Sequence, residues 1–166
     1  MAYEQTLKKD FENKKRETRQ LKKQIDEDSE LTPAAKKERK QMLDKELERI
    51  GREYRQEVME LRSVNAKDQQ RKLFALSNME ARDAVSKVEQ IDRDKLASAY
   101  RKADSRGDEL TKRAIAHRAH VEGNSPLVSE WASENDDRQK QYESMKEAQS
   151  DATNGLDVNT QFSTML

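Results

Sequence analysis

The sequence predicts an all-α chain: an elongated helical hairpin or coiled coil, then a small C-terminal helical module and a mobile tail. Three observations carry this. Charged residues make up 40% of the 166 positions and the hydrophobic set only 33%, a balance typical of long helices rather than thick globular cores. Helix breakers are scarce, with 4 Gly and 2 Pro. The apolar residues fall on narrow stripes of heptad-like spacing.

Residues 3–27 give the first helix. Tyr3, Leu7, Phe11, Thr18, Leu21 and Ile25 share one stripe, interrupted at Lys14. Its other faces carry opposite charges four apart, such as Glu4 with Lys8 and Glu12 with Arg16, each pair worth only ~0.2–0.5 kcal/mol. "DSELTPAAKK" ends that helix and starts another. Thr32 can cap a helix through its hydroxyl, and Pro33 suits a first helical turn, where its missing N–H loses no partner. The acids from Asp26 to Glu30 oppose continuation of the first helix, because carboxylates are unfavourable at a helix C-terminus. An antiparallel hairpin of 3–27 against roughly 33–62 follows, with its turn at 28–33.

The second helix carries Leu43, Leu47, Ile50, Tyr54, Val58 and Leu61 on its seam, and Gly51 is expected to lie off it. Phase is lost near Val64 and Asn65, so residues 66–123 are expected to form an extended helical region, continuous or locally broken. Leu96, Ala99, Tyr100 and Ala103 mark one segment of it; Gly107 can interrupt before Leu110, Ala114 and Val121. Gly123 with Asn124 is a helix-stop signature. Ser125 before Pro126 repeats the Thr32–Pro33 arrangement and opens a short module over 124–150. Leu127, Val128, Trp131 and Tyr142 gather there. Residues 151–166 are expected to be a flexible tail, with Phe162, Met165 and Leu166 as its apolar end.

Site chemistry is sparse. There is no Cys, which removes disulfides, thiolate metal sites and cysteine nucleophiles. His117 and His120 are the only histidines, and a metal site needs three or four ligands. Phosphate-binding glycine loops and nucleophile elbows are missing. "RGD" at Arg106–Asp108 is read as accidental. The expectation is therefore a non-enzyme with no catalytic residue, metal or cofactor. No run approaches the ~20 apolar residues that span a bilayer, and the N-terminus lacks a secretory signal, so a cytoplasmic protein without membrane contact is expected.

Net charge is zero, yet uneven: residues 1–65 are net +2, residues 66–118 net +4 and residues 119–166 net −6. Basic clusters such as Lys14-Lys15-Arg16 are interleaved with acids and aromatics are only 5%, which makes nucleic acid a minor alternative partner. The seams are the informative feature, pointing to protein partners through helix pairing. Candidate seam residues are Leu7, Phe11, Leu21, Ile25, Leu43, Leu47, Ile50, Tyr54, Val58 and Leu61. Leu127, Val128, Trp131 and Tyr142 are the candidate C-terminal docking residues.

Two stretches carry a family resemblance. "LTPAAKKERKQMLDKELERIGREYRQEVMELR" is a capped start with a charged helix. "LTKRAIAHRAHVEGNSPLVSEWASENDDRQKQYESMKEA" is an alanine-rich helix, a glycine stop, a short Trp-containing helix and a final charged helix. Together, under half the chain, they resemble small helical proteins from the virion-assembly region of tailed phages and prophages. The resemblance implies a structural or assembly protein, such as a capsid scaffold or minor head component. Self-association or capsid proteins would be its partners, in the host cytoplasm or the virion. An adaptor or inhibitor of a host protein is the alternative.

Overall fold

The structure, a computed structural model, describes residues 2–76 and 78–154. Regular structure among them is entirely helical: α1 (Ala2–Glu27), α2 (Pro33–Phe74), α3 (Met79–Glu89), α4 (Leu96–Ser105), α5 (Glu109–Val121), α6 (Ser125–Ser133) and α7 (Asp136–Thr153), with a 3-10 turn at Arg93–Lys95. Two compact units are formed. Of the described residues, 2–63 and 152–154 fall in one and 64–151 in the other.

The first unit is the hairpin. Its turn is built by the residues that announce it in sequence. The Thr32 hydroxyl accepts the Ala35 N–H at 3.3 Å, and the Asp28 carboxylate accepts the Glu30 N–H at 2.8 Å. Lys36 Nζ donates to the Asp26 carbonyl at 2.7 Å, satisfying an orphan acceptor at the end of α1. Lys40 pairs with the Asp26 carboxylate at 2.7 Å and holds its pKa below the usual value. Asp26, an acid at the wrong end of α1, is thus answered by Lys40 from the early turns of α2.

Cross-helix pairs fix an antiparallel register. Arg62 meets Glu4 at 2.6 Å, the Tyr3 hydroxyl donates to Glu57 at 2.7 Å, Phe11 stacks on Tyr54 with centroids 5.1 Å apart, and Lys22 pairs with Asp44. Within α1 the short-range pairs differ from the expected i,i+4 set. Lys15 reaches back to Glu12 at 3.1 Å and Lys14 reaches Glu17 at 2.8 Å. Such exposed pairs contribute at most a few tenths of a kcal/mol to about 1 kcal/mol.

The second helix runs past the hairpin arm of 33–62, and the expected extended region is continuous with it only at its start. It continues to Phe74 and breaks at Ala75, which sits in the left-handed region at φ 43° and donates its N–H to the Arg71 carbonyl at 2.9 Å. A non-glycine residue there costs roughly 1–2 kcal/mol, so the stop is imposed by packing rather than by local preference.

The second unit is a helical bundle centred on α5, against which α3, α4 and α6 pack. One hydrophobic cluster draws Phe74 from the end of α2, Val88 from α3, Tyr100 from α4, Ile115 from α5, Trp131 from α6 and Met145 from α7. The segments expected as a separate extended region (66–123) and module (124–150) therefore share this core. Ala114, Ala116 and Ala119 are fully buried, which brings neighbouring helices close to α5. A low apolar percentage hides this, since small side chains can fill a close-packed interior.

Helix ends in this unit are chemically marked. Gly107 (φ 65°) and Gly123 (φ 76°) follow α4 and α5 in the left-handed conformation. In each turn the next residue donates back into the helix: Asp108 N–H to the Ala103 carbonyl at 3.0 Å, Asn124 N–H to the Ala119 carbonyl at 2.7 Å. "RGD" is this α4–α5 turn, and Asp108 caps α5 by accepting from the Thr111 N–H and hydroxyl. Asn124, rather than the expected Ser125, caps α6. One residue thus closes one helix and opens the next, because its amide side chain outcompetes a hydroxyl already inside the first turn. The helix α7 carries through Thr153, three residues into the expected tail; residues 155–166, with Phe162, Met165 and Leu166, lie outside the described residues.

Candidate functional site

The hairpin seam is only partly covered. Phe11 and Val58 are buried, at 5% and 1% exposure. Leu7, Ile25, Leu43, Leu47, Ile50, Tyr54 and Leu61 remain half-buried. Leu21 is 45% exposed and lies off the face that meets α2. On α1 that face runs Glu4, Leu7, Phe11, Lys15, Thr18, Lys22 and Ile25, all buried or half-buried. Charged residues take three positions of that face, Glu4, Lys15 and Lys22, and the lysines fit because a long apolar stem can lie along the seam. The Lys15 ammonium lies over the Phe11 ring, 5.6 Å from its centroid. Gly51 is likewise not off the seam: it is buried, three residues before Tyr54 and seven before Val58.

The four C-terminal docking candidates have another role. Leu127, Val128, Trp131 and Tyr142 are 5%, 1%, 1% and 6% exposed and belong to the core of the second unit. Their density in sequence marks a packed centre and not a docking surface. Trp131 stacks on Phe74 with centroids 5.5 Å apart, and the Arg138 guanidinium lies 4.5 Å over its ring.

Over the Tyr100 ring lies a buried cation that sequence reading did not single out. Lys112 is 3% exposed and meets Asp104 at 2.7 Å, Glu109 at 3.1 Å and Glu134 at 2.5 Å. Burial pulls its pKa down, but the bonds to Asp104, Glu134 and Glu109 outweigh that and leave it above the ordinary lysine value. Glu134 also accepts from the Tyr100 hydroxyl, whose pKa is raised by burial and by that bond. Arg138 reaches Glu109 at 3.3 Å and Glu134 at 3.4 Å. The network ties α4, α5, the end of α6 and α7. Three carboxylates share two cations, and each charge has an opposite partner, so the network fastens the bundle.

The two histidines lie further along α5. Phe74 meets His117 edge-on at 5.1 Å and His120 at 5.5 Å, and His120 Nε2 lies 3.2 Å from the Gln149 amide. Burial lowers both pKa values, and His120 adds to the lowering at His117, so both rings are neutral near pH 7. Among the described residues no group of three or more His, Cys, Asp or Glu is placed to hold a metal ion.

His117 also borders a cavity of about 650 Å³ in the second unit. Phe74, Leu76 and Val85 give it an apolar surface, while Arg71, Arg82, Gln70 and Ser86 supply polar groups. The break at Ala75 builds this cavity, because α2 ends there and α3 begins a few residues on, leaving a hollow between them. A smaller hollow of about 350 Å³ lies at the hairpin turn, where Lys36 and Lys40 are already engaged by Asp26.

Among the described residues no helix is long and apolar enough to cross a membrane. Compared with known proteins, the chain matches no protein-family model, no curated protein and no solved structure.

Proposed function

We propose that the protein is a non-enzymatic structural or assembly protein that works by helix-mediated association of its hairpin with a second copy of itself, in the manner of a capsid scaffold or minor head component of a tailed phage. The observation that carries this reading is the incomplete burial of the seam. Seven of the ten seam residues stay half-buried, and Leu21, Met42 and Met59 are 45%, 65% and 44% exposed. Two helices cover only part of each other's apolar stripes, and narrow stripes are stabilised chiefly by pairing along their length. A second hairpin would supply the missing layer as a four-helix bundle. Opposite charges alternate along both helices and residues 1–65 are only net +2, so two copies can approach without strong repulsion. The resemblance of residues 31–62 and 110–148 to virion-assembly proteins supports the phage setting.

Light scattering coupled to gel filtration tests the association. The expected result is a dimer or higher species whose population rises with concentration and persists at high salt, because burial and not ion pairing drives it. A monomer at every concentration would count against it, and complexes that dissolve steeply with salt would favour the nucleic-acid alternative. Portal, protease or capsid genes beside the coding sequence would support the phage setting; a neighbourhood lacking them would remove it.

A further inference from the structure

We propose that the cavity between the end of α2 and α3 is a binding site for a small amphiphilic carboxylate, a compound with an apolar body and a single anionic head. The site belongs to the second unit alone and does not depend on the hairpin. Its volume, about 650 Å³, lies within the ~300–1,000 Å³ common for small-molecule sites. Its base is apolar, from Phe74, Leu76 and Val85, and its ionisable lining is Arg71, Arg82 and His117, with no carboxylate among the lining residues. Charge complementarity therefore selects an anion, and the apolar base selects a hydrocarbon or ring behind it.

The dimensions argue for a compact ligand over a helix. The lining residues on α2 run from Gln70 to Phe74 and those on α3 from Arg82 to Ser86, about one turn or ~6 Å on each. A bound helix needs anchors spread over two turns or more. The head group would meet guanidinium donors, which match carboxylate geometry in a bidentate fork. Arg71 pairs with Asp68 at 3.6 Å, and both side chains are more than half exposed, so it can turn to a ligand at little cost. Behind the base, Phe74 stacks on Trp131, the only tryptophan, which makes indole fluorescence a local reporter of occupancy.

The test titrates the full chain with decanoate below its micellar concentration, read by Trp131 fluorescence and by calorimetry, beside decanol and decyltrimethylammonium. The expected result is saturable binding of one decanoate per chain, at least about tenfold tighter than decanol, equivalent to ~1.4 kcal/mol, and no saturable binding of the cation. Arg71→Gln/Arg82→Gln should remove that preference for decanoate while circular dichroism stays unchanged, because both side chains are exposed. Equal binding of all three amphiphiles, or a decanoate affinity untouched by the double substitution, would overturn the proposal. So would saturation by an acidic helical peptide in place of decanoate, which would give the cavity to a protein partner.

Discussion

Lys112 offers a direct measure of what holds the second unit together. Its stem is buried, and its ammonium faces three carboxylates of unequal exposure. Asp104 and Glu109 are 57% and 55% exposed and can return to water, while Glu134 is 30% exposed and keeps Tyr100 and Arg138 as partners. Removing the ammonium alone should therefore cost less than the 3–5 kcal/mol typical of orphaning a buried charge, and we expect about 1–2 kcal/mol. Lys112→Met does this, keeping a flexible stem of similar length. Lys112→Ala also forfeits the buried methylenes, about 2 kcal/mol more at ~0.8 kcal/mol each. The expected losses are about 1–2 kcal/mol for Met and about 3–4 kcal/mol for Ala. Urea unfolding followed by Trp131 fluorescence reads them from within the same unit. With a slope of roughly 1–2 kcal/mol/M, the midpoint falls by about 1 M for Met and by about twice that or more for Ala. Equal losses for the two variants would refute the reasoning, because the stem would then contribute nothing beyond its charge.

Three further outcomes follow from local geometry. Ala75→Gly should raise stability by about 0.5–1 kcal/mol in thermal unfolding, whereas Gly107→Ala and Gly123→Ala should each lower it by about 1 kcal/mol; the added Cβ meets nothing within 4 Å, so the cost is conformational. Thr32→Ala should cost the hairpin about 1 kcal/mol by circular dichroism at 222 nm, and Pro33→Ala only a few tenths, since the cap and the acids still mark the boundary. With the pKa values of His117 and His120 lowered by burial, stability is complete above about pH 6.5 and declines as the pH falls below it, because the unfolded chain takes up those protons first. His117→Phe should flatten that part of the pH–stability profile, and a profile unchanged by the substitution would contradict the assignment.

Much of the fold is legible in the chain because its boundaries are chemically explicit. Thr32 with Pro33, and Gly123 with Asn124, each mark a helix end by a side chain or a conformation that few other residues provide. Seam phase is less legible. Leu21 is apolar and in step with a heptad count, but the face that meets α2 passes through Lys15 and Lys22, whose stems pack while their ammoniums pair with Glu12 and Asp44. The core of the second unit is hidden for a related reason: Ala114, Ala116 and Ala119 carry little hydrophobic signal, yet their smallness permits the closest helix contacts. The same effect misdirects the reading of Trp131 and its neighbours, whose density marks the inside of a bundle. The cavity had no signal at all. Arg71 and Arg82 are two among 33 basic residues, and only the turn at Ala75 brings them to one hollow.

The claim that the hairpin associates through the apolar surface left exposed beside its seam is tested most directly by sedimentation equilibrium of the native chain beside Leu21→Glu/Met42→Glu. Both positions are exposed, so the substitutions leave the hairpin folded while placing charge where a second copy would pack. The account predicts a concentration-dependent oligomer for the native chain and a monomer for the variant, with equal helical content. A native chain that stays monomeric, or a variant that associates as strongly as the native chain, would contradict it.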